Sequence, residues 1–393
     1  MQQSSDRHAE RTTSFETVAK RLKLAIIVVH YHTPELMHAA LTAVRADTAD
    51  LELDCTAIVV DNGSTPGDET AWTSLGAGVI RPGANLGYAG AVNHGVARSD
   101  ADFLVLMNPD VIVRPGCIPR LLYLLRDGAA AAGPRFWWDH DRTMLLPPTE
   151  RRTLVDEALR ALAERSPAWA KRARQRWRAH TWRHWRATEP LASHDLSGGL
   201  LAVSRIAWER VGPFDDGYRL YFEETDWLHR VRRSGLRCVY EPRAEAVHLY
   251  ARSTAGQPQA PTWFAQSEAR FRRRRYGPWG QRLLNAVARR GRRVTGEKRT
   301  SGDRTGTERS ARAGGGDPAA ILLHDGDDRA AWIELAPGTV GFPAAGAPVD
   351  ANASSWALPP PILSRLQPGP YTLRPVTERG RELPHVTFSV PGH

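Results

Sequence analysis

The sequence predicts an α/β fold, a Rossmann-like and mostly parallel sheet flanked by helices. Between residues 25 and 110, apolar runs of strand length alternate four times with segments of helical periodicity, which is the pattern of a doubly wound sheet. Polar residues and glycines follow the apolar runs. Because the carboxyl ends of parallel strands border the ligand crevice of such a sheet, these polar segments are expected in a binding site.

The first predicted strand is Ala25–His30, and a helix of apolar periodicity follows from Pro34 to about Val44. Proline is favoured at the first position of a helix, which supports that start. The remaining elements predicted before residue 103 are a strand at Thr56–Val60, a short helix at Glu69–Leu75, a strand at Gly78–Ile80 and a helix at Tyr88–Ala97.

The apolar run Phe103–Val113 is interrupted by Asn108-Pro109-Asp110. Proline cannot continue a central strand, so Asp110 is expected at the carboxyl end of one. A carboxylate there could hold a divalent metal against a phosphate group. An aspartate that only stabilises the following turn is the alternative interpretation.

Three earlier segments at strand ends carry groups suited to a nucleotide. Tyr31 offers an aromatic face to a base, and a tyrosine packed in the core is the less favoured alternative. Asp61 can accept hydrogen bonds from a base or ribose, or form a local turn with Gly63. The glycine-containing loop Asn85–Gly90 precedes a helix, where free N–H groups suit phosphate, although glycine there also indicates a simple turn.

A second group of candidates lies further along the chain. Ser197-Gly198-Gly199 precedes a predicted strand, and its small residues would let an acceptor approach the backbone, unless the segment is only a loop. Glu223 and Glu224 begin a predicted helix, where negative charge is favoured even without a catalytic role. Asp226 and Arg230 are four residues apart and could form a surface ion pair.

The formal net charge of +10 is unevenly distributed along the 393 residues. The segment 24–135 has twelve acidic and seven basic residues, whereas 151–186 has eleven basic and three acidic ones. The basic segment also contains Trp169, Trp177, Trp182 and Trp185, so it could hold the protein on an anionic membrane. A helical hairpin with its tryptophans packed on the core is the alternative, and nucleic-acid binding is less favoured because no nucleic-acid motif accompanies the arginines.

The cysteines and the hydropathy pattern predict the cellular location. Cys55, Cys117 and Cys238 lack metal-ligand spacing, so they are expected to be buried thiols in a reducing compartment, without disulfides or zinc. The apolar runs are shorter than the roughly 20 residues of a membrane span. The protein is therefore expected to be cytoplasmic or peripheral on the inner face of the cell membrane.

Composition shifts predict four parts of the chain. The expected parts are a disordered N-terminus at 1–22, a catalytic domain at 23–285 with a basic helical insertion at about 140–190, a flexible linker at 286–318, and a small β-rich module at 319–393.

Several motifs in order resemble family 2 glycosyltransferases with the GT-A fold: AIIVVHYHTPE, VVDNGS, NLGYAGAVNHG, LMNPDVIV, LSGGLLAVSRIAWERVGPFDDGYRLYFEETDWLHRVRRSG and EAVHLYARS. The resemblance covers about residues 24–253 apart from the insertion. It implies that Tyr31 and Asp61 contact the nucleoside and that Asn85, with Gly87, belongs to the donor pocket. It also implies that Asp110 binds metal in a degenerate DxD motif whose first aspartate is replaced by Asn108. This NPD variant is similar to that of rhamnosyltransferase-like members.

The resemblance also assigns the later residues. Glu224 matches the second acid of the family's ED motif, the general base, with glutamate in place of aspartate lengthening the side chain by one methylene. Glu223, Asp226 and Ser197-Gly198-Gly199 fall in the acceptor-binding part. His248 matches a histidine that helps to hold metal or diphosphate, and Arg252 is close enough in sequence to offer a cation to the diphosphate.

These expectations combine into one predicted activity. A metal-dependent, inverting glycosyltransferase would use Mg²⁺ or Mn²⁺ to move a sugar, rhamnose or another hexose, from a UDP- or dTDP-linked donor to a hydroxyl of a cell-envelope or lipid-linked glycan. The alternatives are a nucleotidyltransferase and a non-catalytic, arginine-rich scaffold that binds nucleic acid or membrane.

Overall fold

The computed structural model describes residues 21–64, 69–250, 258–294, 320–338 and 340–391. Almost all of the predicted disordered N-terminus lies outside these residues, as do Arg252 and most of the predicted linker. The elements up to residue 137 are β1 (Lys23–His30), α1 (Pro34–Thr48), β2 (Asp54–Asp61), α2 (Glu69–Ser74), β3 (Ala77–Ile80), α3 (Gly87–Val96), β4 (Phe103–Met107), β5 (Val111–Val113), α4 (Cys117–Arg126) and β6 (Ala131–Trp137).

The remaining elements form a helical insertion, the end of the sheet and a C-terminal module. They are α5 (Leu154–Ala163), α6 (Pro167–Trp185), β7 (Leu191–Ala192), β8 (Leu200–Ser204), α7 (Arg205–Val211), α8 (Glu223–Arg233), β9 (Cys238–His248) and α9 (Ala260–Val294), followed in the module by β10 (Ala320–Leu322), β11 (His324–Asp325), β12 (Asp328–Pro337), β13 (Ala345–Pro348), β14 (Ser355–Ala357), α10 (Pro360–Leu363), β15 (Gly369–Thr377) and β16 (Val386–Val390).

The central sheet has the strand order β3-β2-β1-β4-β8-β6-β9-β5, with β7 beside β9. Strands β3, β2, β1 and β4 are parallel, as are β6 and β9, whereas β8 runs antiparallel to both of its neighbours. The predicted α/β fold with a mostly parallel sheet is therefore confirmed. The register places His30 beside Asp61, so the ends of β1 and β2 lie together.

Alternate residues of β1 pack on opposite faces of the sheet, as the period of a strand requires. Ile26 and Val28 belong to one core, which includes α1 and α4. Ile27 and Val29 belong to the other, which includes α3 and α8. Helix α3 lies very close to the sheet, since a Cβ added to Gly95 would be 2.8 Å from Ile27 Cγ2.

The run Phe103–Val113 divides at Pro109 into two strands that are not neighbours. Strand β4 is central, whereas β5 pairs with β9 at the edge of the sheet. The bend between them directs Asp110 to the carboxyl end of β4. The same bend brings Asp110 beside His248, the last residue of β9.

The insertion folds as a helical hairpin of α5 and α6. Helix α5 begins with a capping box between Thr153 and Asp156. Trp177, Trp182 and Trp185 are buried in one cluster with Trp332 of the C-terminal module. The alternative in which the tryptophans pack on a core is thus the arrangement observed for these three residues.

The C-terminal module is an antiparallel β structure, as predicted. Its main sheet has the order β11-β12-β15-β16. Strand β13 also pairs with β12, on the edge opposite β15. Helix α9 runs to Val294 with a kink at Gly277 and Pro278, so it enters the segment predicted as a linker. No helix of the described residues is long and apolar enough to cross a membrane. Two of the cysteines are buried as predicted, but Cys55 is exposed because it lies at the open start of β2.

Candidate active site

A cavity of about 570 Å³ opens at the carboxyl ends of β1 and β4. Ten of the predicted site residues line it: Tyr31, Asn85, Gly87, Asn108, Ser197, Gly198, Gly199, Glu223, Glu224 and His248. Asp61, Asp110 and Asp226 are buried and do not line it. Tyr31 and His248 thus line the same cavity, although they are 217 positions apart in the sequence.

Asp61, the last residue of β2, is bonded to the protein on both carboxylate oxygens. It accepts hydrogen bonds from the Ser64 N–H (3.1 Å) and from Arg81 Nε (3.1 Å). Burial would raise the pKa of Asp61, but the bonds from Ser64, Arg81 and His30 lower it. The carboxylate is therefore held ionised at the end of β2.

Asn62 organises the next loop, although sequence reasoning did not select it. Its Nδ2 donates to Asn85 Oδ1 and to the Gly87 carbonyl, both at 3.2 Å, and its Oδ1 accepts from the Leu86 N–H at 2.8 Å. The Gly87 N–H donates to Asn85 Oδ1 and the Tyr88 N–H donates to the Arg219 carbonyl. The Gly87 and Tyr88 N–H groups at the start of α3 thus already have protein acceptors. Phosphate binding at this loop stays a prediction.

Gly87 is required for a different reason. Its φ is +72°, and a Cβ there would be 2.5 Å from the Arg219 carbonyl oxygen. Only glycine adopts this conformation at so close an approach without strain. The residue thus lets the loop after α7 pack against the start of α3.

The two glutamates at the start of α8 are held by unusual backbone. Tyr221 and Phe222 have φ of 68° and 71°, a left-handed conformation that is strained for bulky residues and is typical of functional sites. Phe222 is fixed by packing on Phe271 and by the Arg152 guanidinium over its ring. Glu223 and Glu224 then follow at the cavity wall.

Glu224 lies directly over Gly198, since a Cβ on that glycine would be 2.8 Å from Glu224 Cγ. Enclosure in the cavity raises the pKa of Glu224, and burial together with the charge of Glu224 raises the pKa of Glu223 well above its usual value. Glu223 Oε2 has no hydrogen-bond partner among the described residues. Adjacent carboxyls with raised pKa values can hold a proton, so this pair fits acid–base chemistry.

Asp110 and His248 form the candidate metal position. Asp110 Oδ1 lies 3.4 Å from His248 Nε2, and Gly199 makes room for the imidazole, because a Cβ there would be 2.9 Å from the ring. No group of three or more His, Cys, Asp or Glu side chains that could hold a metal occurs in the described part of the chain. A carboxylate and an imidazole nevertheless fit a divalent ion whose other ligands come from a diphosphate and water.

The structure does not bring Asp226 into the cavity. Its Oδ2 accepts from Arg230 Nε at 3.1 Å, and the same guanidinium donates to the carbonyls of Val211 and Pro213. Asp226 thus anchors α8 to the loop after α7. The Asp226–Arg230 ion pair, which the four-residue spacing predicts, is present.

The comparisons with known proteins agree with this geometry. The sequence profile described as "Glycosyl transferase family 2" matches residues 25–183. Over 255 residues the chain is 31% identical to the N-acetylglucosaminyl-diphospho-decaprenol L-rhamnosyltransferase of two Mycobacterium tuberculosis strains, covering 60% of this chain and 78% of that protein. The chain belongs to glycosyltransferase family 2. The resemblance identified from the motifs is thereby confirmed, and a glycosyltransferase is favoured over the nucleotidyltransferase and scaffold alternatives.

Two solved structures are similar at a greater distance. A GalNAc-T7 complex with UDP, GalNAc and Mn²⁺ has 15% identity and a TM-score of 0.42, over 59% of this chain and 44% of that one, less than half its length. The mannosyltransferase PcManGT of Pyrobaculum calidifontis, with GDP-Man and Mn²⁺, has 15% identity and a TM-score of 0.39, over 71% and 77%.

This family 2 glycosyltransferase has further cavity residues that sequence reasoning missed. Arg219 is exposed, stacks over Trp263 at 5.0 Å and has no carboxylate partner among the described residues. Trp138 and Tyr250 form aromatic contacts near His248. The sequence could have indicated only Arg219, because it is a cation two residues before the YFEE segment. The other residues reach the cavity through tertiary packing.

Proposed function

We propose that the protein transfers a sugar, with L-rhamnose as the first candidate, from a nucleotide-diphosphate donor to a hydroxyl of a lipid-linked or cell-envelope glycan. Membership in family 2 and the name of the mycobacterial relative support this proposal. The observation that carries it is the position of Glu224, which faces the same cavity as Tyr31 and Asn85 at the predicted donor end.

Glu224 is the proposed general base. Its carboxylate takes the proton of the acceptor hydroxyl while the acceptor oxygen bonds to the anomeric carbon. The bond between that carbon and the phosphate oxygen breaks, and the nucleoside diphosphate leaves. A single displacement from the opposite face inverts the anomer. The raised pKa of Glu224 makes it a better proton acceptor than an exposed glutamate, provided that it is ionised when the acceptor binds.

The diphosphate would be bound at the Asp110 end of the cavity. Asp110 and His248, with Asn108 beside them at the cavity wall, would hold Mg²⁺ or Mn²⁺. When bound there, the ion supplies positive charge that stabilises the leaving diphosphate. Arg219 is a second cation on the wall of the cavity and could contact a phosphate from the side of α8.

Titration calorimetry tests the donor site. We expect UDP or dTDP to bind the wild-type protein more tightly with Mn²⁺ than without it, with Tyr31 against the base and Asp61 near the ribose. Asp110→Ala should remove the Mn²⁺-dependent part of the affinity, because the carboxylate that lies 3.4 Å from His248 is lost. Glu209→Ala, an acidic residue of α7 outside the cavity lining, is the control. Failure of both nucleotides to bind the wild type would contradict the proposal.

We further propose that the protein binds the surface of an anionic membrane through α5 and α9. Trp279 is 78% exposed, and Leu283 and Val155 are also exposed. Arg282 lies over the Trp279 ring at 5.2 Å. Exposed aromatic residues beside cations suit the headgroup region, whereas the three buried tryptophans of α6 are not available for it.

Flotation with vesicles of phosphatidylcholine and phosphatidylglycerol tests the membrane proposal. We expect flotation to require the anionic lipid and to fall in Trp279→Ser. Ile206→Ser is the matched control, because Ile206 is 79% exposed on α7. Equal flotation with phosphatidylcholine alone, or equal losses in the two variants, would contradict it.

A further inference from the structure

The C-terminal module is firmly attached to the helical insertion. The Leu145 and Gly346 backbones exchange hydrogen bonds of 2.7 and 2.9 Å. Trp185 and Trp332 stack with ring centroids 5.4 Å apart. A Cβ on Gly346 would lie 2.2 Å from the Trp185 ring, so the two parts meet without a gap. The module therefore has a defined position relative to the catalytic domain.

This position makes the module one wall of the active-site cavity. The module residues that line the cavity are almost all apolar: Leu335, Pro337, Pro343, Ala344, Ala345 and Tyr371. Tyr371 stacks on Phe388 of the neighbouring strand, with centroids 5.8 Å apart. Four of the six residues lie on strands β12, β13 and β15, and Pro343 and Ala344 directly precede β13, so most of the wall has a fixed shape.

A line of aromatic rings connects this wall with the catalytic end. The His248 ring lies 5.8 Å from Tyr250, and the Tyr250 ring lies 6.3 Å from Trp138. Trp138 belongs to the hydrophobic core of the module, and its carbonyl accepts a hydrogen bond from Arg365. A group bound at the module wall is therefore close to the reacting end.

We propose that this module wall, defined by the six residues above, is an acceptor subsite for the apolar chain next to the accepting sugar of a lipid-linked acceptor. The proposal rests on the proposed glycosyltransferase function. A sugar against aliphatic side chains would leave buried hydroxyls without partners, which is unfavourable. An isoprenoid or acyl chain has no such groups and gains free energy in proportion to the apolar area that it buries.

Two compounds and two matched variants of the full-length protein test this subsite. The compounds are farnesyl-diphospho-N-acetylglucosamine and methyl-diphospho-N-acetylglucosamine, which differ only in the chain. Pro337→Asn places an uncharged polar group on the module wall. Pro348→Asn makes the same change at a second exposed proline of the same sheet, which lies outside the cavity lining. Binding is followed by tryptophan fluorescence, since Trp138 and Trp263 line the cavity.

We expect the wild type to bind the farnesyl compound more tightly than the methyl compound. Pro337→Asn should weaken binding of the farnesyl compound by about fivefold or more, because the bound chain would cover an amide and offer it no hydrogen-bond partner. The same change should leave binding of the methyl compound unchanged. Pro348→Asn should match the wild type. If Pro337→Asn lowers the melting temperature, Ala344→Ser makes a smaller polar change on the same wall and replaces it.

Equal wild-type affinity for the two compounds would overturn the subsite, and so would equal losses in the two proline variants. Titration of the same wild-type sample with UDP and dTDP separates the two levels of the proposal. Nucleotide binding without a preference for the farnesyl compound contradicts the subsite alone. Absence of both contradicts the glycosyltransferase function as well.

Discussion

Two pairs of enclosed glutamates have opposite surroundings. Glu223 and Glu224 lie side by side at the cavity, where burial raises the pKa of both and the charge of Glu224 raises that of Glu223 further. Glu334 and Glu382, between α6 and the module, are surrounded by arginines. Burial alone would raise the pKa of Glu382, but Arg174, Arg374 and Arg178 lower it to about 2.

The difference shows that burial does not by itself decide what a carboxyl group does. A buried carboxyl group without a nearby cation has a raised pKa and accepts a proton readily, but its ionised form destabilises the folded protein. With an arginine, it stays ionised and fixes two surfaces in one orientation, and loss of either partner leaves a buried charge. The first arrangement suits chemistry, and the second suits attachment.

Glu224→Gln is the change that should separate the two roles most strongly. It keeps the shape of the side chain but removes the proton acceptor, so we expect kcat to fall about 10²- to 10⁴-fold. Nucleotide affinity and melting temperature should be nearly unchanged. The wild-type kcat should also fall as the pH is lowered through the pKa of Glu224, which burial raises above the usual value of 4.5. The kcat of Glu224→Gln should not show this fall at low pH.

Glu223→Gln is the control for this assignment. Glu223 lies at the same helix start but is more deeply buried than Glu224, at 4% exposure, and it is not the proposed base. We expect a smaller loss of kcat than in Glu224→Gln. A larger loss in Glu223→Gln would show that the base is Glu223 and that the motif alignment is wrong by one residue.

The sequence was sufficient for the parallel strands β1 to β4 of the central sheet, because they carry a strong local signal, but it did not indicate β6 or β7. The buried strands β1, β2 and β4 were predicted to within two residues at each end, since an apolar run of this length has few other uses in a soluble domain. Asp110 was placed correctly at a strand end because Pro109 cannot extend the strand. These inferences needed only neighbouring residues.

The rest of the site depends on contacts that no local pattern contains. Arg178 and Glu334 are separated by 156 positions, so neither indicated that the module joins the insertion. Gly198 and Gly199 were interpreted as space for an acceptor, whereas in the structure Glu224 and His248 occupy the space beside them. Their place in acceptor binding stays a prediction.

Glu334→Gln tests the attachment side of the comparison. Glu334 is fully buried and accepts from Arg178 Nε at 2.7 Å and Nη2 at 2.9 Å. Removing its charge leaves the Arg178 guanidinium buried with Glu382 as its remaining carboxylate partner. We expect the free energy of unfolding, measured with urea, to fall by about 3 kcal/mol. The cavity should also lose its module wall if the module detaches before the catalytic domain unfolds.

Glu378→Gln is the matched control, because Glu378 pairs with Arg186 at the end of α6 but is 70% exposed. An exposed pair contributes at most about 1 kcal/mol, so equal effects of the two variants would contradict the assigned role of the buried network.

The pH dependence of module attachment gives an independent check. Because the folded-state pKa of Glu382 is about 2 and lies below its unfolded value near 4.5, its contribution is complete above pH 4.5 and is lost as the pH falls towards 2. Attachment of the module should therefore weaken between pH 4.5 and pH 2. Glu223 should have the reverse effect, because its raised pKa means that lowering the pH favours the folded state.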